Sequence, residues 1–160
     1  MNTIKQPVLN KKESLELPHE VLVDLMKDVF ARGGQFKFRA KGASMSPFIR
    51  DGDVLTLVPW EGRNPAAGRV VAWFNPQTQK LIVHRIVAVK GNFFLIKGDN
   101  SPTQADGWIS REQIISAVAR VERMGRQVRL GMGMEGWLIA YLSKIGLLTR
   151  IISRLRRVIQ

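Results

Sequence analysis

Three side chains far apart in the chain could together perform acyl transfer: Ser44, His84 and an aspartate, either Asp99 or Asp106. Ser44 lies in Gly42-Ala43-Ser44-Met45-Ser46-Pro47, after the alternating run Gln35-Phe36-Lys37-Phe38-Arg39-Ala40 and before the turn Arg50-Asp51-Gly52-Asp53. A strand that stops at a glycine, with a serine just beyond it and a proline after that, exposes a hydroxyl in a tight backbone bend. A nucleophile and oxyanion-binding amides can sit side by side there. Taken alone, Ser-Met-x-Pro reads as an ordinary polar loop; the residues downstream give it interest.

His84 stands in Leu81-Ile82-Val83-His84-Arg85-Ile86-Val87, an apolar strand. Strand alternation puts it on the face of Ile82 and Ile86, in a partly apolar wall that favours the neutral imidazole a general base must be. Arg85 points to the opposite face, as a structural or surface cation. Asp99, in Lys97-Gly98-Asp99-Asn100-Ser101-Pro102, and Asp106, in Ala105-Asp106-Gly107, both sit in turn-forming sequence. Either carboxylate could accept an imidazole N–H and stabilise the imidazolium.

Composition narrows the chemistry. The chain has 160 residues and no cysteine, which excludes disulfides and thiolate zinc sites. Its two histidines, His19 and His84, are far apart, so neither a metal nor another cofactor is expected. The formal charge of +12 calls for an anionic partner. From Arg120 onward, nine Lys or Arg stand against two Glu. They are mixed with long aliphatic side chains and not with stacking aromatics, which favours a lipid surface and makes nucleic acid an unlikely partner. The polar first 16 residues do not read as a signal peptide, and no apolar run is long enough to span a bilayer. The expectation is a cytoplasmic protein, or one peripheral on the inner membrane.

The elements that must position these residues fall into three parts. Residues 1–35 hold a loose tail over 1–15 and an amphipathic helix from Pro18 to Arg32, with Leu22, Leu25, Met26 and Val29 on one face and His19 at the surface. Gly33-Gly34 stops that helix. Over 36–131 the period changes to two, predicting strands at 35–41, 53–60, 69–75, 80–90, 92–98 and 113–124. Turn sequences separate them, among them 61–65 and a tight hairpin at Val89-Lys90-Gly91-Asn92-Phe93. The fold class is mainly β, antiparallel and coiled. Residues 132–160 predict a basic amphipathic helix from Trp137 to Ile159, breakable at Gly146. Tyr141, Ile145, Leu148, Ile152, Leu155 and Ile159 line one side and Arg150, Arg154 and Arg157 the other. That pattern suits residues 137–159 lying on an anionic membrane, and also a helix folded onto the β-domain or onto another subunit.

Four boxes in register carry a resemblance: Gly42-x-Ser44-Met45-x-Pro47, Asp51-Gly52-Asp53, His84-Arg85-Ile86-Val87 and Lys97-Gly98-Asp99-Asn100. Over residues 36–124 the chain resembles the signal peptidase I family, in particular the archaeal and endoplasmic-reticulum branch. That branch has histidine where the common bacterial branch and the LexA-type self-cleaving proteins have lysine. The resemblance implies a LexA/signal peptidase-like β-fold and a serine endopeptidase with Ser44 as nucleophile and His84 as base. Asp99 matches the Gly-Asp-Asn box, and Asp106 corresponds to a second family aspartate. The Ser44 N–H would serve the oxyanion, with Gly42, Ala43, Met45 and Pro47 lining the oxyanion and substrate site. The substrate would be a peptide or protein bound as an extended strand, so the role implied is proteolytic processing by a hydrolase, membrane-associated through the basic helix. The family's usual N-terminal transmembrane segment is not found, which favours a specialised maturation protease over conventional preprotein cleavage. Two alternatives are a catalytically inactive peptide-binding relative and a LexA-type regulator that cuts itself near Ala31-Arg32-Gly33-Gly34.

Overall fold

The period-two stretch folds into eight strands: β1 (Phe36–Arg39), β2 (Val54–Pro59), β3 (Val70–Asn75), β4 (Lys80–Lys90), β5 (Phe93–Lys97), β6 (Gly107–Ser110), β7 (Ile114–Arg123) and β8 (Arg126–Val128). The computed structural model describes residues 18–60, 66–102 and 104–158; the expected loose tail and the 61–65 turn lie outside them. Pairing is antiparallel throughout, in the order β1-β2-β7-β3-β4-β5-β6, with β8 folded back on β7. The protein is thus mainly β. Strands β6 and β8 were not expected, since runs of four and three residues are too short to display alternation.

Both faces of this sheet are covered, and β3 shows why its sequence is apolar from Val70 to Phe74. Val70 and Ala72 join one core cluster with Leu55, Leu57 and Val121, while Val71 and Trp73 join another with Ile86, Phe94 and Ile96. The long strand β4 changes partner midway. Its first half, Lys80–Arg85, pairs with β3, and its second half, from Arg85 onward, pairs with β5. His84 and Arg85 stand at that exchange. Among the described residues the first half of β4 therefore keeps one edge unpaired by any strand, as does β1 at the end of the sheet.

Helix α1 (His19–Ala31) packs against β1 and β4. Its inward face is Leu22, Val23, Met26 and Phe30, not the expected set: Leu25 is exposed, because the helix is rotated to put Val23 and Met26 innermost. His19 is exposed but does more than face water, since its Nδ1 accepts the Leu81 N–H at 3.0 Å from the open edge of β4.

The C-terminal helix is two helices, α2 (Gly136–Lys144) and α3 (Leu147–Val158). Gly146, at φ +75°, makes the break in a left-handed conformation that a side chain would strain. The break overturns the single apolar face expected for this segment. Ile139 and Ala140 of α2 and Leu148 and Ile152 of α3 turn inward, the last two with Ile139 around Phe48, while Tyr141 and Ile145 face out. Leu155 and Ile159 lie outside the described side chains. No helix among the described residues is long and apolar enough to cross a membrane.

Candidate active site

His84 is positioned by register. It pairs with Val71 of β3 on one side, and on the other the pairing of Arg85 with Lys97 sets Gly98 opposite it. Gly98 has no side chain where the imidazole must pass. A Cβ built there would lie 3.0 Å from His84 Nε2, 2.8 Å from the Ser44 carbonyl oxygen and 2.9 Å from Ser101 Oγ. All three atoms crowd one point, so the Ser44 backbone and the imidazole share a crevice although their residues are forty apart. Glycine in a strand commonly marks such an approach.

The other ring nitrogen is taken. His84 Nδ1 lies 2.5 Å from Asp106 Oδ2, with the two side chains 11% and 21% exposed. A carboxylate accepting there assigns the proton to Nδ1 and leaves the Nε2 lone pair facing the crevice. Asp106 is itself fixed by its N–H, which donates to the Ile96 carbonyl at 2.8 Å as the chain enters β6.

Asp99 is a different kind of residue. Alternation puts Arg85, Lys97 and Asp99 on one face of the β4–β5 pair and His84 on the other. Both Asp99 oxygens are held by Arg85, from Nε at 2.8 Å and from Nη2 at 2.7 Å, with both side chains wholly buried. Arg85 Nη1 donates to the carbonyls of Gly68 at 2.7 Å and Gly131 at 2.8 Å, and the guanidinium lies over the Phe48 ring. Of the two readings of Arg85, the structural one holds. Asp99 is its counter-ion and does not touch His84, so the imidazole's carboxylate is Asp106 alone.

The Ser44 loop is gripped from one side. The Asn100 N–H donates to the Ser44 carbonyl at 2.7 Å, and Asn100 Nδ2 donates to the Ala43 carbonyl at 3.1 Å. The N–H groups of Ala43, Ser44 and Met45 donate to no acceptor among the described residues, leaving successive amides open at a turn. Such a run binds negative charge. Gly42 drops out of that set: its N–H donates to Asp51 Oδ1 at 2.8 Å, so it closes the loop onto the following turn. Met45 is buried beside Ala40 and Ile49, and Pro47, after a cis peptide bond, is partly buried. Ser44 is exposed, and its hydroxyl enters no hydrogen bond among the described residues.

One ion pair and one charged hydrogen bond stiffen the surroundings. Asp53, buried at the end of the Arg50–Asp53 turn, accepts the Arg50 N–H at 2.8 Å and both Nε and Nη2 of Arg123, at 2.9 and 2.8 Å. Burial pushes its carboxyl up, but the bonds from Arg123 and Arg50 outweigh this and hold it below the usual range. Lys97, buried beside Gly98, donates from Nζ to the Ser143 carbonyl at 3.0 Å and so satisfies the C-terminal turn of α2. Sequence reasoning missed Lys97, the Asn100 grip and Ser101. The signal available was strand parity, which puts Lys97 on the buried face of Arg85. No protein-family model matches the chain, and no curated protein matches it significantly.

Proposed function

We propose that this chain is a serine endopeptidase of signal-peptidase type, with Ser44 as nucleophile, His84 as general base and Asp106 as the carboxylate that orients it. The observation that carries the reading is the convergence at Gly98: an imidazole whose Nδ1 is bound to Asp106 turns Nε2 toward the Ser44 loop. A core histidine satisfied at both nitrogens would have no free acceptor, whereas Nε2 of this one has no partner among the described residues.

The chemistry follows from those positions. The Ser44 hydroxyl attacks the scissile carbonyl as His84 Nε2 takes its proton, and Asp106 stabilises the imidazolium. The oxyanion is met by the Ser44 N–H, with those of Ala43 and Met45 adjacent. His84 then protonates the leaving amine, and water resolves the acyl-enzyme by the same route in reverse. The Ser44–His84 hydrogen bond forms when substrate fixes the serine rotamer, since catalytic bonds are commonly open in unliganded sites.

The substrate enters as a strand. The unpaired edges of β1 and of the first half of β4 both lead to the crevice, and Phe38, Ala40, Met45 and Val83 supply apolar walls between them. Helix α1 lies across that opening, and His19 already takes the Leu81 N–H that a substrate carbonyl would use. Binding therefore requires α1 to move aside. The test is covalent labelling with a serine-directed acylating probe, located by peptide mass spectrometry. Labelling of Ser44 that disappears in His84→Ala supports the reading. Absence of any Ser44 adduct across several probe classes favours the inactive peptide-binding alternative.

A further inference from the structure

Helix α2 is built inside out. Trp137 is 62% exposed and Tyr141 55%, Leu138 is exposed as well, and so are Met134 (90%) just before the helix and Ile145 at its end. These positions recur at helical spacing down a single side, while Ile139, Ala140 and Ser143 are buried on the other. A helix on a soluble surface turns its polar residues outward. This one shows water an unbroken apolar and aromatic stripe, and Leu147 and Ile151 of α3 add two further exposed aliphatic side chains.

The charges around the stripe have one sign. Lys144, Arg150, Arg154 and Arg157 are exposed, and none has a carboxylate partner among the described residues. Glu135 is the one acidic residue beyond Arg123. Its carboxylate faces inward along the chain, accepting the N–H groups of Gly131 at 2.8 Å and Gly133 at 3.2 Å. A second copy of this chain would bring like charges together across a two-fold contact. The exposed rings, Trp137 and Tyr141, are interleaved with aliphatic side chains on α2 and not with the arginines of α3, which is not the alternation of cation and ring that a nucleic-acid strand uses.

We propose that the outward face of α2 and α3 lies in the interface of an anionic bilayer, with Trp137 and Tyr141 at headgroup level, Leu138 and Ile145 below them, and the α3 arginines on the lipid phosphates. The inward faces of the same helices surround Phe48, four residues after Ser44, and Ser143 receives Lys97 beside Gly98. Lipid contact would therefore hold the crevice at a fixed height above the membrane. This inference does not depend on the protease reading.

The experiment is cosedimentation of the full chain with vesicles of phosphatidylcholine containing about 30 mol% phosphatidylglycerol, against phosphatidylcholine alone. Wild type binds the anionic vesicles and is released by about 0.5 M salt. Both Trp137→Ser/Tyr141→Ser and Arg150→Gln/Arg154→Gln weaken partitioning by about 10-fold or more, with unchanged circular dichroism because every altered side chain is exposed. Equal binding to neutral vesicles, equal binding by either variant, or no binding at low salt overturns the proposal. So does a wild-type dimer in sedimentation velocity that Trp137→Ser dissociates, since the face then belongs to a second copy.

Discussion

An imidazole that gives one nitrogen to Asp106 has only the other left for chemistry, so the two aspartates near this site behave differently when altered. Asp106→Asn leaves the fold intact and reverses the preferred tautomer, and kcat should fall by about 10³- to 10⁴-fold with little change in thermal midpoint. Asp99→Asn strands the Arg85 guanidinium in a site with no exposure, and should cost about 3–5 kcal/mol of stability. Denaturant titration and steady-state kinetics on both variants check the pair; an Asp99→Asn protein of normal stability would contradict it. Gly98→Ala tests the crevice itself. The added methyl meets the Ser44 carbonyl at 2.8 Å and His84 Nε2 at 3.0 Å, closer than such atoms pack. Overpacking costs about 1–3 kcal/mol, and displacing the serine against the base should cost about 10²-fold or more in turnover. Wild-type turnover would mean that the closeness of these groups is incidental.

Helix α1 is held mainly by its apolar face. Met26 and Val23, both buried, contribute about 1.5–3 kcal/mol each, partly buried Leu22 and Phe30 add to that, and the His19–Leu81 hydrogen bond contributes about 1 kcal/mol. A peptide must offset that with main-chain bonds and side-chain burial of its own. Met26→Ala should lower the thermal midpoint yet raise kcat/KM on a soluble peptide several-fold, by loosening the cover of the cleft; activity that falls together with stability would place the substrate elsewhere. The turn after the Ser44 loop makes a prediction about pH. Because the Asp53 carboxyl is held below its ordinary 3.8, its contribution to stability is complete above that value and is lost as pH falls through the lower native value. The stability gap between wild type and Asp53→Asn should therefore be constant near neutrality and narrow below about pH 3.8. A gap independent of pH down to that range would show that the pair with Arg123 does not matter to the fold.

Across the whole molecule, the strands and the chemistry-bearing residues were legible where a local pattern carried them, and illegible where long-range register decided. Alternation placed five of the six expected strands within one residue at each end, and β1 stops two residues short of its expected end. The choice between Asp99 and Asp106 could not be read, for a specific reason. An uninterrupted hairpin from the Lys90–Phe93 pair would set His84 opposite Asp99. A bulge between Ile86 and Ala88 shifts the register by one, putting Arg85 opposite Lys97 and Gly98 beside the imidazole. The helical projection of residues 137–159 failed likewise, because the break at Gly146 ends one helix and starts another, so the buried positions of α2 and α3 do not follow a single helical repeat. The most direct measurement of the central claim is peptide-library cleavage, read by mass spectrometry, for wild type, Ser44→Ala and His84→Ala. Cuts made by wild type and by neither variant are the predicted result, with the two losses similar in size because the residues act as a unit. Cleavage that survives in Ser44→Ala, or near-normal turnover by His84→Ala, would contradict it.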